Sequence, residues 1–261
     1  MSSVRIAIIQ TTLFWEDKQA NLNMLESKIQ ELDASVQLVI LPEMFSTGFS
    51  MNAKTLAETM DGKTMQWMQA LSSKKRIIII GSLIIEEEGK FYNRLIWMMP
   101  NGNMGYYDKR HLFAYAGEDK HYHAGQKRLI ASVNGIKINL QICYDLRFPV
   151  WARPQDEEEY DVLIYVANWP EKRSHAWKSL LTARAIENQC YVVGVNRVGK
   201  DGLGNTYCGD SSVIDPMGQI IYQKAEAEEV FVVTLEKSVV VEVRNKLPFL
   251  RDADRFRIEE E

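Results

Sequence analysis

VNGIKINLQICYDLRFPVW, residues 133–151, carries a turn, a strand and a sharp bend in quick succession. Asn134-Gly135 predicts a type I′ hairpin turn, because both central positions of that turn need positive φ and these residue types tolerate it. Beyond it Ile136, Ile138, Leu140 and Ile142 recur at every second position, the period of a strand with one apolar face. Cys143 stands where that strand ends. Residues 144–149, YDLRFP, no longer alternate, and Pro149 suits the first turn of a following helix. A cysteine on a strand-to-helix bend exposes its sulfur, and the N–H groups just beyond it are placed to hold an oxyanion. A lone cysteine is also commonly a buried structural residue, and this stretch by itself leaves both readings open.

Working outward, 46% hydrophobic and 25% charged residues in 261 are the proportions of a soluble protein with a sizeable core. The length fits one α/β domain over residues 1–261, with its core at about 4–234 and a C-terminal tail at about 235–261. A net charge of −4 and a sequence pI near 5.7 exclude a nucleic-acid binder that relies on a basic footprint. Apolar runs such as residues 77–80 are buried-strand sized and far below membrane-spanning length. The N-terminal residues enter a strand pattern at once, so no signal peptide is expected. Cys143, Cys190 and Cys208 are odd in number and far apart, which reads as reduced thiols in a cytoplasmic protein and not as a disulfide or zinc framework.

Residues 4–9 and 36–41 read as strands buried on both faces, separated by an amphipathic helix through Leu22, Leu25, Ile29 and Leu32. Glu43 follows the second strand directly, in LPEMF. A carboxylate at the end of a buried strand is where α/β proteins put chemistry, although a solvated strand-end charge occupies the same position. A second amphipathic helix through Met65, Met68 and Leu71 leads to strands at 77–83, 91–99 and 104–107, with Lys109 just past the last. Residues 107–125, YDKRHLFAYAGEDKHYHAG, hold Lys109, Glu118 and three of the four histidines. His121 and His123 lack a Cys, an Asp or a third His at ligand spacing, so no metal is expected. Lys109 alone reads as a surface lysine.

Past the cysteine, residues 156–159 form an acidic surface loop, and 162–166 are a buried strand running into Asn168-Trp169-Pro170. A helix through Trp177, Leu180, Leu181 and Ala185 precedes strands at 191–195, 211–214, 220–222 and 230–234, then a short helix at 236–246. Residues 201–204, DGLG, are a plain loop, since they lack the pattern of a phosphate cradle. The charged tail after Pro248 is expected on the surface or against a partner subunit. Two strand-rich halves flank residues 107–125, which predicts two sheets packed together with helices outside.

Glu43 in LPEMF, Lys109 in YDKRHLF and Cys143 in ICYDLRFP each follow a predicted strand, and their order and spacing resemble the nitrilase (carbon–nitrogen hydrolase) superfamily. The likeness runs from Val4 to about Phe231 and takes in Asn168-Trp169-Pro170, TARAIENQCYVVGVNRVG at 182–199 and GDSSVIDPMG at 209–218. The resemblance implies an α/β four-layer αββα sandwich with two mixed sheets, often dimerised through the helical layers. It also implies a Glu-Lys-Cys triad that needs no metal or organic cofactor. Within that superfamily the chain looks most like the omega-amidases, which hydrolyse the terminal amide of 2-oxoglutaramate and 2-oxosuccinamate.

On that resemblance Cys143 is the nucleophile, Glu43 its base, and Lys109 with the backbone N–H of Tyr144 the oxyanion holder. Glu118 matches a second glutamate that supports Lys109 or the substrate. A keto-acid carboxylate calls for an arginine as bidentate partner, which singles out Arg147 and Arg173, although either equally suits a structural ion pair. Phe45, Tyr115 and Trp169 are candidate pocket walls, and each equally suits a core. Cys190 and Cys208 are expected to be inert. The expected partners are a small amide substrate and further copies of this chain, as a homodimer or higher homo-oligomer, with neither nucleic acid nor membrane. Aliphatic amidases, N-carbamoyl amide hydrolases and nitrilases share the triad and stay open as alternatives, as does a non-catalytic binding protein on the same scaffold.

Overall fold

A strand that is apolar at every position needs cover on both faces, and the chain supplies it in layers. The structure, a computed structural model, describes residues 2–155 and 159–259. Its first half runs β1 (Ser3–Gln10), α1 (Lys18–Gln30), β2 (Leu38–Ile40), α2 (Ala53–Leu56), α3 (Lys63–Lys75), β3 (Ile78–Glu87), β4 (Lys90–Met98) and β5 (Met104–Asp108). The second half runs β6 (Ile130–Val133), β7 (Ile136–Ile142), α4 (Pro149–Ala152), β8 (Val162–Val166), α5 (Ser174–Asn188), β9 (Tyr191–Val195), β10 (Val198–Lys200), β11 (Thr206–Ile214), β12 (Ile220–Ala225), β13 (Glu229–Glu236) and α6 (Lys237–Lys246).

The first sheet has the order β13-β1-β2-β3-β4-β5, and the second β10-β11-β9-β8-β7-β6 with β12 beside β11. Both are mixed: β1-β2-β3 and β7-β8-β9 are parallel, and the flanking strands are antiparallel. On β1, Val4, Ile6 and Ile8 enter the core between the sheets, while Ala7 and Ile9 enter a second core under α1 and α3. On the far side α5 packs against β9 and β11, with Trp177, Leu181 and Ala185 buried. The result is the expected αββα sandwich.

Asn134 and Gly135 have φ of +52° and +76°, the conformation of the predicted hairpin turn, and they join β6 to β7. Of the acidic loop expected at 156–159, residues 156–158 lie outside the described residues. The tail after Pro248 turns back on the body, with Ile258 packed against the main core. Among the described residues, no helix is long and apolar enough to cross a membrane. Ligands in parallel α/β sheets bind beyond the carboxyl ends of the strands. Here β2, β5, β7 and β8 deliver Glu43, Lys109, Cys143 and Asn168 just past those ends.

Candidate active site

Cys143 opens a five-residue 3₁₀ turn, Cys143–Arg147, directly after β7, and its φ is +45°. A non-glycine residue held there costs about 1–3 kcal/mol and persists only where its surroundings impose it. Pro149 follows at the first position of α4, where its missing N–H and fixed φ fit. The elbow puts Cys143 Sγ 4.0 Å from the carbonyl oxygen of Asn168 and leaves the residue 9% exposed.

Three buried charged side chains stand behind the sulfur. Lys109 Nζ donates to Glu43 Oε1 at 2.9 Å and to both oxygens of Glu118 at 3.0 and 2.9 Å. Asn93 Nδ2 donates to Glu43 Oε1 at 2.8 Å and to Glu118 Oε1 at 3.2 Å, so one amide bridges the two carboxylates. Glu43 Oε2 accepts the backbone N–H of Asn168 at 2.8 Å, and the Asn168 amide donates back to the Glu43 carbonyl at 2.6 Å. Glu118 Oε2 also accepts the N–H of Phe113 at 2.6 Å. Glu43, Lys109 and Glu118 are at most 1% exposed, and burial of such charges is tolerable only because each is paired and hydrogen-bonded.

Burial pushes the Cys143 thiol well above its ordinary value, and the Glu43 carboxylate, which it hydrogen-bonds, raises it further; the Lys109 ammonium offsets part of this. Burial alone would pull the Lys109 ammonium down, but Glu118 and Glu43 outweigh it and hold it above its usual value. Burial likewise raises Glu118, against the pull of Lys109. The resting thiol is therefore neutral at pH 7, beside a carboxylate able to take its proton and an ammonium able to hold an oxyanion. Glu43→Gln removes a negative charge from the thiol, so the midpoint of Cys143 alkylation against pH should move down. An unmoved or higher midpoint would contradict this electrostatic account.

A cavity of about 170 Å³ opens onto Cys143. Lys109, Tyr144, Arg147, Trp169, Arg173 and Tyr115 line it, so the structure brings these sequence candidates together. Tyr115 sits at the mouth, 88% exposed, while Trp169 is 3% exposed. Glu43 and Glu118 lie behind Lys109, off the cavity wall. Phe45 is a correction: it is fully buried in the core under α1 and α3, its ring 5.9 Å from that of Trp67. Met44, with φ of +44°, breaks the strand alternation between Glu43 and Phe45 and turns the ring away. Cys190 is buried in the main core, with its thiol pushed up to about 12 by burial. Cys208 is half-buried, its thiol raised to about 11 by burial and Asp210.

The sequence reading missed Asn93, Asn168 as a partner of Glu43, and Asp201, Leu203 and Asn205 of the loop after β10 with Tyr207 of β11, which also line the cavity. The signal for Asn93 was a polar residue in the middle of an apolar strand. Residues 201–204 carried no signal beyond a turn.

Comparison with known proteins agrees with this geometry. The profile of the carbon-nitrogen hydrolase family matches residues 5–245. The chain is 43% identical to the omega-amidase YafV of Escherichia coli K12, over 99% of this chain and 100% of that one. It is 31% identical to the 2-oxoglutaramate amidase of Bacillus subtilis, over 95% and 96% of the two chains. A crystal structure from Xanthomonas campestris, of a CN-hydrolase superfamily protein with an arsenic adduct in its active site, matches with a TM-score of 0.97. It is 42% identical and covers 99% of this chain and 100% of that one. With the profile spanning the sandwich and relatives alike over their whole length, the chain belongs to the carbon-nitrogen hydrolase family.

Proposed function

We propose that this chain is an omega-amidase: it hydrolyses the terminal amide of 2-oxoglutaramate or 2-oxosuccinamate to the dicarboxylic keto acid and ammonia. Glu43 takes the Cys143 proton as the sulfur adds to the amide carbonyl. The oxyanion is held by Lys109 Nζ and by the N–H of Tyr144, one of the leading donors of a helical turn that find no partner within it. Glu43 returns the proton to nitrogen, the C–N bond breaks, ammonia leaves, and a thioester remains on Cys143. Glu43 then takes a proton from water as its oxygen adds to the thioester, the C–S bond breaks, and Glu43 returns that proton to the departing sulfur, releasing the acid and restoring the Cys143 thiol and the Glu43 carboxylate. Glu118 keeps Lys109 charged and aimed.

One observation carries the choice of substrate. Arg147 and Arg173 both face the cavity, half-buried, and neither guanidinium has a hydrogen bond or ion pair among the described residues. Each rests on a ring instead, Arg147 at 4.9 Å from Trp169 and Arg173 at 5.2 Å from Phe113. Two aimed cations without an anion suit a substrate carboxylate. Asp201, the acid on the same wall, is engaged by Leu203 N, by Asn205 through its backbone and side chain, and by Tyr207 OH. It has little left for an α-ammonium, so glutamine should be a poor substrate. The relatives' named activities support the same choice.

Ammonia release from 2-oxoglutaramate, with glutamine, an N-carbamoyl amino acid and a simple nitrile in parallel, tests the reading. Turnover of another substrate in place of the keto-amide would overturn it. Arg147→Leu and Arg173→Leu should each raise KM about ten- to hundredfold with little change in kcat, since a hydrogen bond to a charged group contributes about 1.5–3 kcal/mol. An unchanged KM in both would remove the arginines from the site.

We also place the enzyme in the cytoplasm, in line with its unpaired thiols, as a homodimer or larger homo-oligomer. Exposed Ile186 lies against Gly218, next to exposed Met217 and Ile220, which supports a covered face there.

A further inference from the structure

We propose that Asp145 is a positioning residue, whose buried carboxylate ties the backbone around Lys109 to the backbone around Cys143 and so sets the cation against the thiol. Asp145 is fully buried and takes no part in the cavity wall. Its Oδ2 accepts the N–H of Ile142, the residue before Cys143, at 3.0 Å, and the hydroxyl of Tyr107 at 2.7 Å. Its Oδ1 accepts the N–H of His111 at 3.0 Å and His111 Nδ1 at 2.8 Å. Tyr107 and His111 stand two residues before and two after Lys109. One carboxylate therefore grips the strand end that delivers the sulfur and both sides of the residue that delivers the ammonium.

The surrounding groups are arranged to keep that grip. The Tyr107 oxygen also accepts Trp151 Nε1 at 3.0 Å and Arg110 N at 3.2 Å, so its proton is committed to Asp145. The His111 ring is stacked on Phe148, with centroids 3.8 Å apart and planes at 6°, which fixes Nδ1 towards the carboxylate. From the other side Arg184 Nη2 holds the carbonyl of Leu146 at 2.6 Å. A turn that starts at a cysteine with positive φ needs such restraint. An asparagine cannot replace the carboxylate: Ile142 N–H and His111 N–H face different oxygens, so an amide NH₂ would oppose a backbone donor in either orientation.

The proposal rests on the amidase reading of the site. A displacement of about 1 Å between reacting groups costs about a hundredfold in rate, so Asp145→Asn should lower kcat by about that factor while KM stays within about threefold. His111→Leu, which removes a side-chain donor, should lower kcat. His111→Asn, whose amide can reach the same oxygen, should restore most of it. Steady-state kinetics on 2-oxoglutaramate, with thermal melting of each variant, reads the result. Lower kcat at held KM in Asp145→Asn supports the proposal. If Asp145→Asn does not fold, loss in His111→Leu and recovery in His111→Asn supports it. Variants that melt earlier but keep wild-type kcat would overturn it, leaving Asp145 a structural residue only. Wild-type enzyme inert towards every amide would instead sink the amidase reading itself.

Discussion

Cys143→Ala is expected to abolish amide hydrolysis and leave the fold intact. Removing the nucleophile from a catalytic unit whose members act together costs on the order of 10⁶ in kcat. The fold should survive because the thiol is neutral at rest, held well above its ordinary value by burial and Glu43. Its loss leaves the charges of Glu43, Lys109 and Glu118 balanced as before. The variant should melt within a few degrees of wild type, the span of a change of about 1 kcal/mol or less in a domain of this size. Residual turnover above about one part in a thousand, with the protein shown free of wild type, would argue against a covalent step on this sulfur.

Lys109→Met should damage the fold as well as the activity, because it removes the one cation, among the described residues, that is bonded to both buried carboxylates Glu43 and Glu118. Activity falls with the lost oxyanion donor, by at least about 10²–10³. Breaking a buried pair by deleting one partner also destabilises by about 3–5 kcal/mol. That deficit should depend on pH in an unusual direction. The folded-state pKa of Glu118 is already raised above the ordinary 4.5 by burial, against the pull of Lys109, and without the ammonium it rises further. Such a carboxyl binds its proton more tightly folded than unfolded, so its contribution favours the fold at low pH and is lost as pH rises through the raised value. The gap in melting temperature from wild type should be smallest near pH 4.5 and largest at neutral pH. Glu43→Gln, which leaves Lys109 paired with Glu118, should show a much smaller gap. Equal gaps at both pH values would contradict the buried-charge account.

Much of this molecule was legible before any coordinates. Strict alternation over residues 136–142 and the Asn134-Gly135 turn located β7, because a half-buried strand and a type I′ turn each impose a narrow residue pattern. Glu43, Lys109 and Cys143 each follow a predicted strand, where side chains from distant segments can meet, but position alone left Glu43 and Lys109 as surface charges, and their order and spacing, resembling the carbon–nitrogen hydrolases, singled the three out together. Of the two places open to Phe45, pocket wall or core, it takes the core. Met44, at positive φ and with its N–H bonded to Ser82 Oγ, reversed the side on which Phe45 emerges.

Partners across the fold were also invisible. Nothing near Glu43 in the chain names Asn93 or Asn168 as its donors, since those contacts span 50 and 125 residues. Residues 201–204 read as a plain loop because the Asp201 carboxylate bonds its near neighbours Leu203, Asn205 and Tyr207, and only the packed structure lays this stretch against the cavity. Asp145 lay in full view beside the cysteine, but its role depends on Tyr107 and His111, 38 and 34 residues away.

The central claim is that hydrolysis passes through a thioester on Cys143. Mass spectrometry of wild-type enzyme, acid-quenched during turnover of 2-oxoglutaramate and digested, tests it most directly. The account predicts a keto-acyl adduct on the peptide carrying Cys143, formed with release of ammonia and discharged by water when substrate is exhausted. Steady turnover with that peptide unmodified at every quench time, including with a slowly deacylating substrate, would contradict it.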